Sequence, residues 1–115
     1  MKNIKELRTA SILREIIGEA LGQLRDERMH GLNVVRVEVS KGRSNATVYL
    51  DPTGIDEEQK QPLLTQLRKA RGFLSRYCAS VEGWRRTPNL DFRFDDEVDR
   101  ADALERIFEA IKERT

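Results

Sequence analysis

The feature of this chain that most constrains its fold is a change in the spacing of its apolar residues. Over residues 4–24 they recur every three or four positions, which predicts a long amphipathic first helix. Basic side chains such as His30 suit the negative end of a helix, and Gly31 could adopt a left-handed cap. We therefore expect this helix to end at residues 29–31 and to bury one apolar face.

The spacing then changes to strict alternation, which is typical of β-strands with one buried face. Residues 35–39 alternate between valine and polar side chains, and a second run alternates over residues 46–50. The two runs predict a β-hairpin. A third alternating run at residues 90–94 follows the turn signal at Pro88 and predicts a third strand.

Helical spacing returns between the second and third strands. Residues 63–78 carry an apolar stripe, and Gly83 is placed to end that helical stretch. Asp56 is a good N-cap candidate, but a helix begun there would hold Pro62 in its interior at a cost of about 3 kcal/mol. We therefore expect the regular helix to start nearer Gln61.

A last helix is predicted after the third strand, with Asp99 as its cap. Its apolar stripe consists of Leu104, Ile107, Phe108 and Ile111. The element order is then α-β-β-α-β-α, an α+β pattern in which a three-stranded sheet packs against helices. The 115 residues, of which 38% are hydrophobic, suffice for one core, so we expect a single domain over residues 1–115.

Composition excludes several classes of protein. No apolar run approaches the roughly 18 to 20 residues that a bilayer span requires, and the first residues lack the apolar core of a signal peptide, so we expect a cytoplasmic protein without membrane contact. The single cysteine, Cys78, excludes an internal disulfide, and with the single histidine it falls short of a zinc site. No nucleophile–base pair or Gly-rich nucleotide loop is evident, so we expect no enzyme, no metal and no cofactor.

The charge of the chain is small in total but unevenly distributed. A net charge of +1 argues mildly against a nucleic-acid binder. However, residues 68–86 contain several basic residues and only one acidic residue, Glu82, whereas acidic residues dominate residues 91–105. Such segregation can direct one face of a protein toward phosphates.

Gly72 interrupts the helical pattern of residues 63–78. A glycine inside a helix costs about 1 kcal/mol relative to alanine, so another factor should compensate for it. In helical phase it lies among Arg68, Arg71 and Arg76, opposite the apolar stripe. A phosphate could approach the bare backbone there, and a kink would expose N–H donors. The alternative is a solvated basic face in which glycine serves packing.

Two short segments make a family resemblance visible. The first is Ala70-Arg71-Gly72 followed by Phe73-Leu74, and the second is Pro88-Asn89-Leu90-Asp91-Phe92 followed by Asp95. With residues 24–28 and the strand at residues 46–50, their order and spacing resemble the bacterial ribosome-binding factor A family. The resemblance extends over residues 7–111. The sequence departs from the usual pattern in three places: Glu27 replaces a proline, Gly42-Arg43 replaces Asp-Leu, and Glu97 stands where serine is frequent.

The resemblance implies a type II KH-like fold, in which a kink at Ala70, Arg71 and Gly72 replaces the usual Gly-x-x-Gly loop. It also implies binding to the small ribosomal subunit and its rRNA during late maturation, near processing of the rRNA 5′ end. Family members are not enzymes. The resemblance further implies a role in the cold and release assisted by a ribosome-associated GTPase, and we expect a monomer.

The candidate RNA-binding residues are basic side chains and one glycine. They are Arg68, Lys69, Arg71, Gly72, Arg76, Arg85, Arg86, Lys41 and Arg43. Trp84 could stack on a base, although a tryptophan beside a turn is more often a packing residue. Cys78 is expected to be a buried small hydrophobe. The acidic run from Asp95 is expected to be solvated and to cap the last helix, and it could also repel rRNA.

The leading hypothesis is therefore an RNA-binding module whose basic helical face and kink dock on rRNA. The alternative is a protein-interaction module of α/β type that does not bind RNA directly. In that case Tyr49 and Trp84 would contact the partner protein. High salt would discriminate the two, since phosphate contacts weaken steeply with ionic strength and apolar contacts do not.

Overall fold

The computed structural model describes residues 4–95 together with positions 108 and 111. The elements, in chain order, are α1 (Ile4–Leu21), a 3₁₀ turn (Glu27–Met29), β1 (Val34–Val39), a 3₁₀ turn (Lys41–Arg43), β2 (Asn45–Leu50), α2 (Glu57–Lys69), α3 (Arg71–Glu82) and β3 (Asn89–Phe94). The expected last helix, with Asp99, Leu104 and Ile107, lies outside the described residues. Phe108 and Ile111 are helical and have exposed side chains.

Helix α1 ends earlier than its sequence predicted. It stops at Leu21, and the N–H groups of residues 22–24 each donate to the carbonyl three residues back rather than four. The chain then turns at Asp26, whose Oδ1 accepts a hydrogen bond from the Arg28 N–H at 3.1 Å. Such local bonds compete with the helix. Gly31 has no positive φ, so the expected left-handed cap at this glycine was wrong.

Helix α2 begins at Glu57, not near Gln61 as expected, and includes Pro62. Asp56 occupies the N-cap position, and Gln59 Oε1 accepts a hydrogen bond from the Asp56 N–H at 3.2 Å. Capping of this kind is worth about 0.5–2 kcal/mol, which compensates in part for the proline. Pro62 lies on the exposed side of the helix, where water can satisfy the carbonyl that lacks its N–H partner.

The sheet has the order β1-β2-β3, with β1 antiparallel and β3 parallel to β2. A register shift between Val34 and Arg36 marks a bulge in β1. Ala46, Val48 and Leu50 are buried on one face, as the alternation predicted. Because β3 runs parallel to β2, the chain must cross over between them, and α2 and α3 form this crossover.

The helices cover one face of the sheet, and the described elements share a single hydrophobic core. Its largest fully buried side chains are Phe92, Leu13, Ile17, Leu21, Met29, Leu50, Leu67, Leu74 and Leu90. Helix α1 packs on β1 and α3, while α2 packs on β3. Within the described residues, no helix is both long and apolar enough to cross a membrane.

The other face of the sheet carries charged side chains that neutralise one another. The Arg36 guanidinium lies 3.8 Å from the centre of the Tyr49 ring and pairs with Glu38. Arg93 Nε lies 3.2 Å from Asp91 Oδ2. We call this surface the outer sheet face, and its arginines are already engaged by carboxylates.

Asp95 does not lie in solvent as its acidic run suggested. Its side chain is buried, with Oδ2 3.3 Å from Arg36 Nε. Its N–H donates to Leu50 O at 2.8 Å and extends the pairing of β2 with β3 by one residue. The expectation of a solvated Asp95 was wrong because the strand pattern continues past Phe94. The acidic residues from Asp96 onward lie outside the described residues.

Candidate nucleic-acid interface

Helices α2 and α3 meet at Ala70, which belongs to neither helix. Its φ of −85° and ψ of −1° lie in the bridge region. The Ala70 N–H donates to both Gln66 O and Leu67 O, at 3.0 and 3.1 Å, and helical bonding resumes with Leu74 N–H to Ala70 O at 3.0 Å. Helix α3 begins at Arg71, with one residue between it and the end of α2 at Lys69. The regular helical bonding is therefore interrupted at Ala70, next to the predicted kink residues Arg71 and Gly72.

The space beside Gly72 is approached by the Arg76 side chain and not by another backbone segment. A Cβ added at Gly72 would meet Arg76 Nη1 at 3.2 Å, and apart from its chain neighbours and the backbone of its own helix no other residue comes within 4 Å. Gly72 has no positive φ, so neither strain nor backbone packing within the described structure requires glycine here. The absent side chain leaves space that the end of the Arg76 guanidinium approaches.

The kink is surrounded by exposed cations without partners. Among the residues that the structure describes, none of these side chains forms an ion pair. We call this region the kink surface; it comprises Arg68, Lys69, Ala70, Arg71, Gly72 and Arg76. Its arginines differ from those of the outer sheet face in being free to bind phosphate.

An exposed aromatic residue lies beside the kink surface. Phe73 follows Gly72, is 38% exposed, and its ring centre lies 6.1 Å from that of Tyr77. Sequence reasoning assigned Phe73 no role of its own. The available signal was its helical phase, since it falls off the apolar stripe that buries Leu67 and Leu74.

At the other end of α3, Gly83 ends the helix as predicted. It adopts the left-handed conformation, with φ 69° and ψ 25°, and the Trp84 N–H donates to Ala79 O at 3.1 Å. This bonding pattern is the usual one for a helix closed by glycine. It positions Trp84, which is partly buried against the hydrophobic core.

The β1–β2 connection faces this end of α3. Gly42 has a φ of 79° and Arg43 a φ of 59°, and Arg43 is the one non-glycine residue with positive φ among the described residues. Arg43 therefore occupies a conformation that L-residues other than asparagine and aspartate seldom adopt. The Asn89 N–H donates to Ser44 O at 3.0 Å, which ties this connection to the start of β3.

Together these segments enclose an open groove of about 610 Å³. Its lining residues are Thr9, Gly42, Arg43, Ser44, Trp84, Arg85, Arg86, Thr87, Pro88 and Asn89. We call it the tryptophan groove. Three arginines line it, no carboxylate does, and none of the three forms an ion pair within the described residues.

The predicted RNA-binding residues thus fall into two groups. The kink surface holds those of α2 and α3, whereas Arg43, Arg85 and Arg86 line the tryptophan groove. Lys41 is exposed in the same connection as Arg43 but does not line the groove. Because α3 has 12 residues and rises about 1.5 Å per residue, its two ends are about 18 Å apart.

The two aromatic residues of the alternative hypothesis do not form one surface. Tyr49 lies under Arg36 on the outer sheet face, whereas Trp84 lies beside Ser44. Tyr49 and Ser44 are separated by five residues of extended strand, or about 16 Å. A single protein-docking patch built on both is therefore not favoured.

Cys78 and His30 have side chains that can be reactive in other proteins, but here each makes contacts that serve the fold. Cys78 is fully buried, as expected, and burial raises the pKa of its thiol to about 11, which keeps it protonated near neutral pH. His30 Nε2 lies 2.6 Å from Leu24 O, and His30 is the C-cap of the 3₁₀ turn Glu27–Met29 rather than the end of α1.

Nearly the whole sequence matches a known protein family. The model of the ribosome-binding factor A family matches residues 5–108. The chain belongs to this family. Ribosome-binding factor A of Wolinella succinogenes is 45% identical over 111 residues, covering 96% of this chain and 93% of the relative. That of Campylobacter jejuni is 46% identical over 109 residues, covering 95% and 91%.

Solved structures of ribosome-binding factor A share the fold. The crystal structure from Thermus thermophilus is 28% identical, with a TM-score of 0.65 over 76% of this chain and 93% of that one. The solution structure of a Thermotoga maritima protein described as a putative ribosome binding factor A is 28% identical, with a TM-score of 0.67 over 81% and 90%. The fold is therefore α+β and KH-like, as the resemblance implied.

A third related structure comes from a complex. It is a homology model of the T. thermophilus factor fitted into a cryo-electron microscopy map of a 30S–RbfA complex. It is 28% identical to this chain, with a TM-score of 0.61 over 80% of this chain and 92% of that one.

Proposed function

We propose that this protein is a ribosome assembly factor that binds the small ribosomal subunit and its rRNA during late maturation, when the 5′ end of the rRNA is processed. The observation that carries the proposal is the kink surface, where unpaired cations surround the opening turn of α3. The T. thermophilus relative in the 30S–RbfA complex supports the choice of the small subunit as partner.

The kink surface suits rRNA phosphates for a simple electrostatic reason. In this proposal, a phosphate at Gly72 accepts hydrogen bonds from backbone N–H groups at the start of α3. Arg71 and Arg76 then hold its remaining oxygens by charge-assisted bonds. Binding releases counterions from the RNA, so affinity falls steeply with salt.

The outer sheet face has a different role in this proposal. Its arginines are paired with Glu38, Asp91 and Asp95, so it offers no free cations to RNA. It therefore faces away from the rRNA. The net charge of +1 is compatible with RNA binding because the free cations lie on the helical side.

The protein acts by binding, as a cytoplasmic monomer, and stabilises one conformation of the immature subunit. In the cold, where alternative rRNA pairings persist longer, this stabilisation matters most. A ribosome-associated GTPase then assists release. These finer features rest on the family resemblance, and each is separately testable once binding is measured.

The test of the RNA-binding surface is cosedimentation with 30S subunits over a range of salt concentrations. The double variant Arg71→Ala/Arg76→Ala should weaken binding by about tenfold and lower the slope of log K against log salt by about 2. Both side chains are exposed, so thermal unfolding should change little.

Arg93→Ala is the matched control, because it removes an exposed arginine from the outer sheet face. It should leave subunit binding and its salt dependence unchanged. If Arg93→Ala weakens binding as much as the double variant does, the proposed orientation on the subunit is wrong. Unchanged cosedimentation of the double variant would reject the kink surface itself.

A further inference from the structure

We propose that the tryptophan groove binds one unpaired nucleotide of RNA, with the base stacked on Trp84 and the adjoining phosphates held by Arg43, Arg85 and Arg86. This inference rests on the proposed function only in taking RNA as the ligand. It concerns a second contact, at the opposite end of α3 from the kink surface.

The first observation is the convergence of cations from distant parts of the chain. Arg43 comes from the β1–β2 connection, whereas Arg85 and Arg86 come from the segment between α3 and β3. Like charges brought together repel one another, so the arrangement costs energy unless an anion compensates. No carboxylate lines the groove. Glu6, the nearby acid, is buried and accepts a hydrogen bond from the Gly42 N–H at 3.3 Å.

The second observation is the backbone conformation of Arg43. Its φ of 59° belongs to a region that glycine or asparagine occupies at lower cost. Non-glycine residues in such conformations are strained, and they are concentrated at binding sites. Here the strain places a guanidinium at the groove in a turn that would form more easily with glycine. The arginine is therefore better explained by a ligand than by the turn.

The third observation is the fixed position of Trp84. The left-handed Gly83 and the hydrogen bond from the Trp84 N–H to Ala79 O hold its backbone. Its indole packs against the core and also lines the groove. A partly buried aromatic ring with a fixed backbone forms a stacking platform that loses little entropy when a base binds.

These features favour an unpaired nucleotide over duplex RNA or a free anion. A duplex keeps its base faces inside its own stack, so it cannot present one to an indole. Inorganic phosphate would use the arginines but not Trp84. The groove volume of about 610 Å³ is within the range of roughly 300–1,000 Å³ typical of sites that take a small ligand.

The protein contains one tryptophan beside two tyrosines, so fluorescence excited selectively at the indole reports on Trp84 in the groove. The intact chain is titrated with single-stranded hexauridylate, with a blunt RNA duplex of equal charge, and with inorganic phosphate. We expect saturable quenching with hexauridylate and little change with the other two. Quenching by duplex or phosphate at the same concentrations would overturn the assignment to an unpaired base.

Variants separate the contribution of the arginines to RNA affinity from that of stacking on Trp84. Arg85→Ala/Arg86→Ala should raise the Kd for hexauridylate by about tenfold or more. Arg93→Ala, which removes an arginine of the outer sheet face, should leave quenching unchanged. Trp84→Leu is followed with fluorescein-labelled hexauridylate by anisotropy and should also raise the Kd by about tenfold or more. If Trp84→Leu binds as tightly as the parent, stacking is excluded.

Trp84→Leu also removes packing against the core, so Trp84→Phe serves as a second variant that retains a ring. Trp84→Phe should bind more tightly than Trp84→Leu at equal helix content by circular dichroism, and equal affinities would overturn the proposal. The failure of the two proposals can be distinguished. If hexauridylate does not bind but 30S subunits still cosediment, this inference fails alone. If the subunit does not bind but hexauridylate does, the proposed function fails alone.

Discussion

The two ends of α3 both present arginines without carboxylate partners, but they hold them differently. At the kink surface the cations lie on exposed helical turns, and the backbone N–H groups of an opening helix lie among them. In the tryptophan groove the cations come from two loops around a fixed aromatic residue. In our proposals, the first arrangement recognises phosphate alone, whereas the second adds recognition of a base.

In our proposal, this arrangement lets a nearly neutral protein present cations to RNA. Three carboxylates pair with Arg36 and Arg93 on the outer sheet face. Net charge is therefore a poor guide to this protein, because cations without an ion pair among the described residues lie at both ends of one helix.

The largest expected effect comes from removing the cations of the kink surface together. Replacing Arg68, Lys69, Arg71 and Arg76 with alanine should weaken 30S binding by on the order of 100-fold at physiological salt, since several phosphate contacts are lost. Quenching of Trp84 by hexauridylate should persist. If quenching is lost as well, the two ends of α3 form one continuous site and the comparison is wrong.

Gly83→Ala should act on the groove through the backbone. An alanine in the left-handed conformation costs about 1–2 kcal/mol in the free energy of unfolding, measured by denaturant titration. The change should also shift Trp84 emission and weaken hexauridylate binding. Gly54→Ala is the matched control, because Gly54 has a φ of 78° but lies in the β2–α2 connection. It should lose similar stability without changing Trp84 emission.

Arg43→Gly should change stability and binding in opposite directions. Glycine adopts a φ of 59° without strain, so the free energy of unfolding should stay constant or rise by up to about 1 kcal/mol. Affinity for hexauridylate should fall severalfold. Lys41→Gly, in the same turn, has no positive φ to relieve and should not stabilise. A large loss of stability in Arg43→Gly would contradict the strain argument.

The smallest effect on stability is expected at Gly72. In Gly72→Ala the new methyl group meets the flexible end of Arg76. The free energy of unfolding, measured by denaturant titration, should therefore stay constant or rise by up to about 1 kcal/mol. Subunit binding should weaken because the methyl group restricts access to the kink. If Gly72→Ala is strongly destabilised, the glycine serves packing, which was the alternative reading of the sequence.

Regular elements were predictable because their spacing reflects burial directly. The strands at residues 35–39, 46–50 and 90–94 and the helix end at Gly83 follow from local patterns. The end of α1 was not predictable from apolar spacing, which continues past Leu21 while a side-chain bond at Asp26 directs the chain into a turn.

The site was only partly predictable. Charge segregation singled out the basic residues of 68–86 as candidates, but the division of the candidates into two surfaces depends on the parallel pairing of β3 with β2, which brings Asn89 to Ser44. No sequence signal close to Arg43 predicts its left-handed backbone conformation. Asp95 was mistaken for a solvated acid because its partner, Arg36, lies 59 residues earlier.

Helix α3 also fixes both the distance between the two surfaces at its ends and their relative direction around the helix axis. One inserted residue would lengthen it by about 1.5 Å but turn one end by about 100° relative to the other. An insertion of a whole turn would change the spacing and nearly preserve the direction. An RNA that engages both ends therefore senses the phase of the helix more sharply than its length, and α3 is the segment in which an insertion or deletion should be least tolerated.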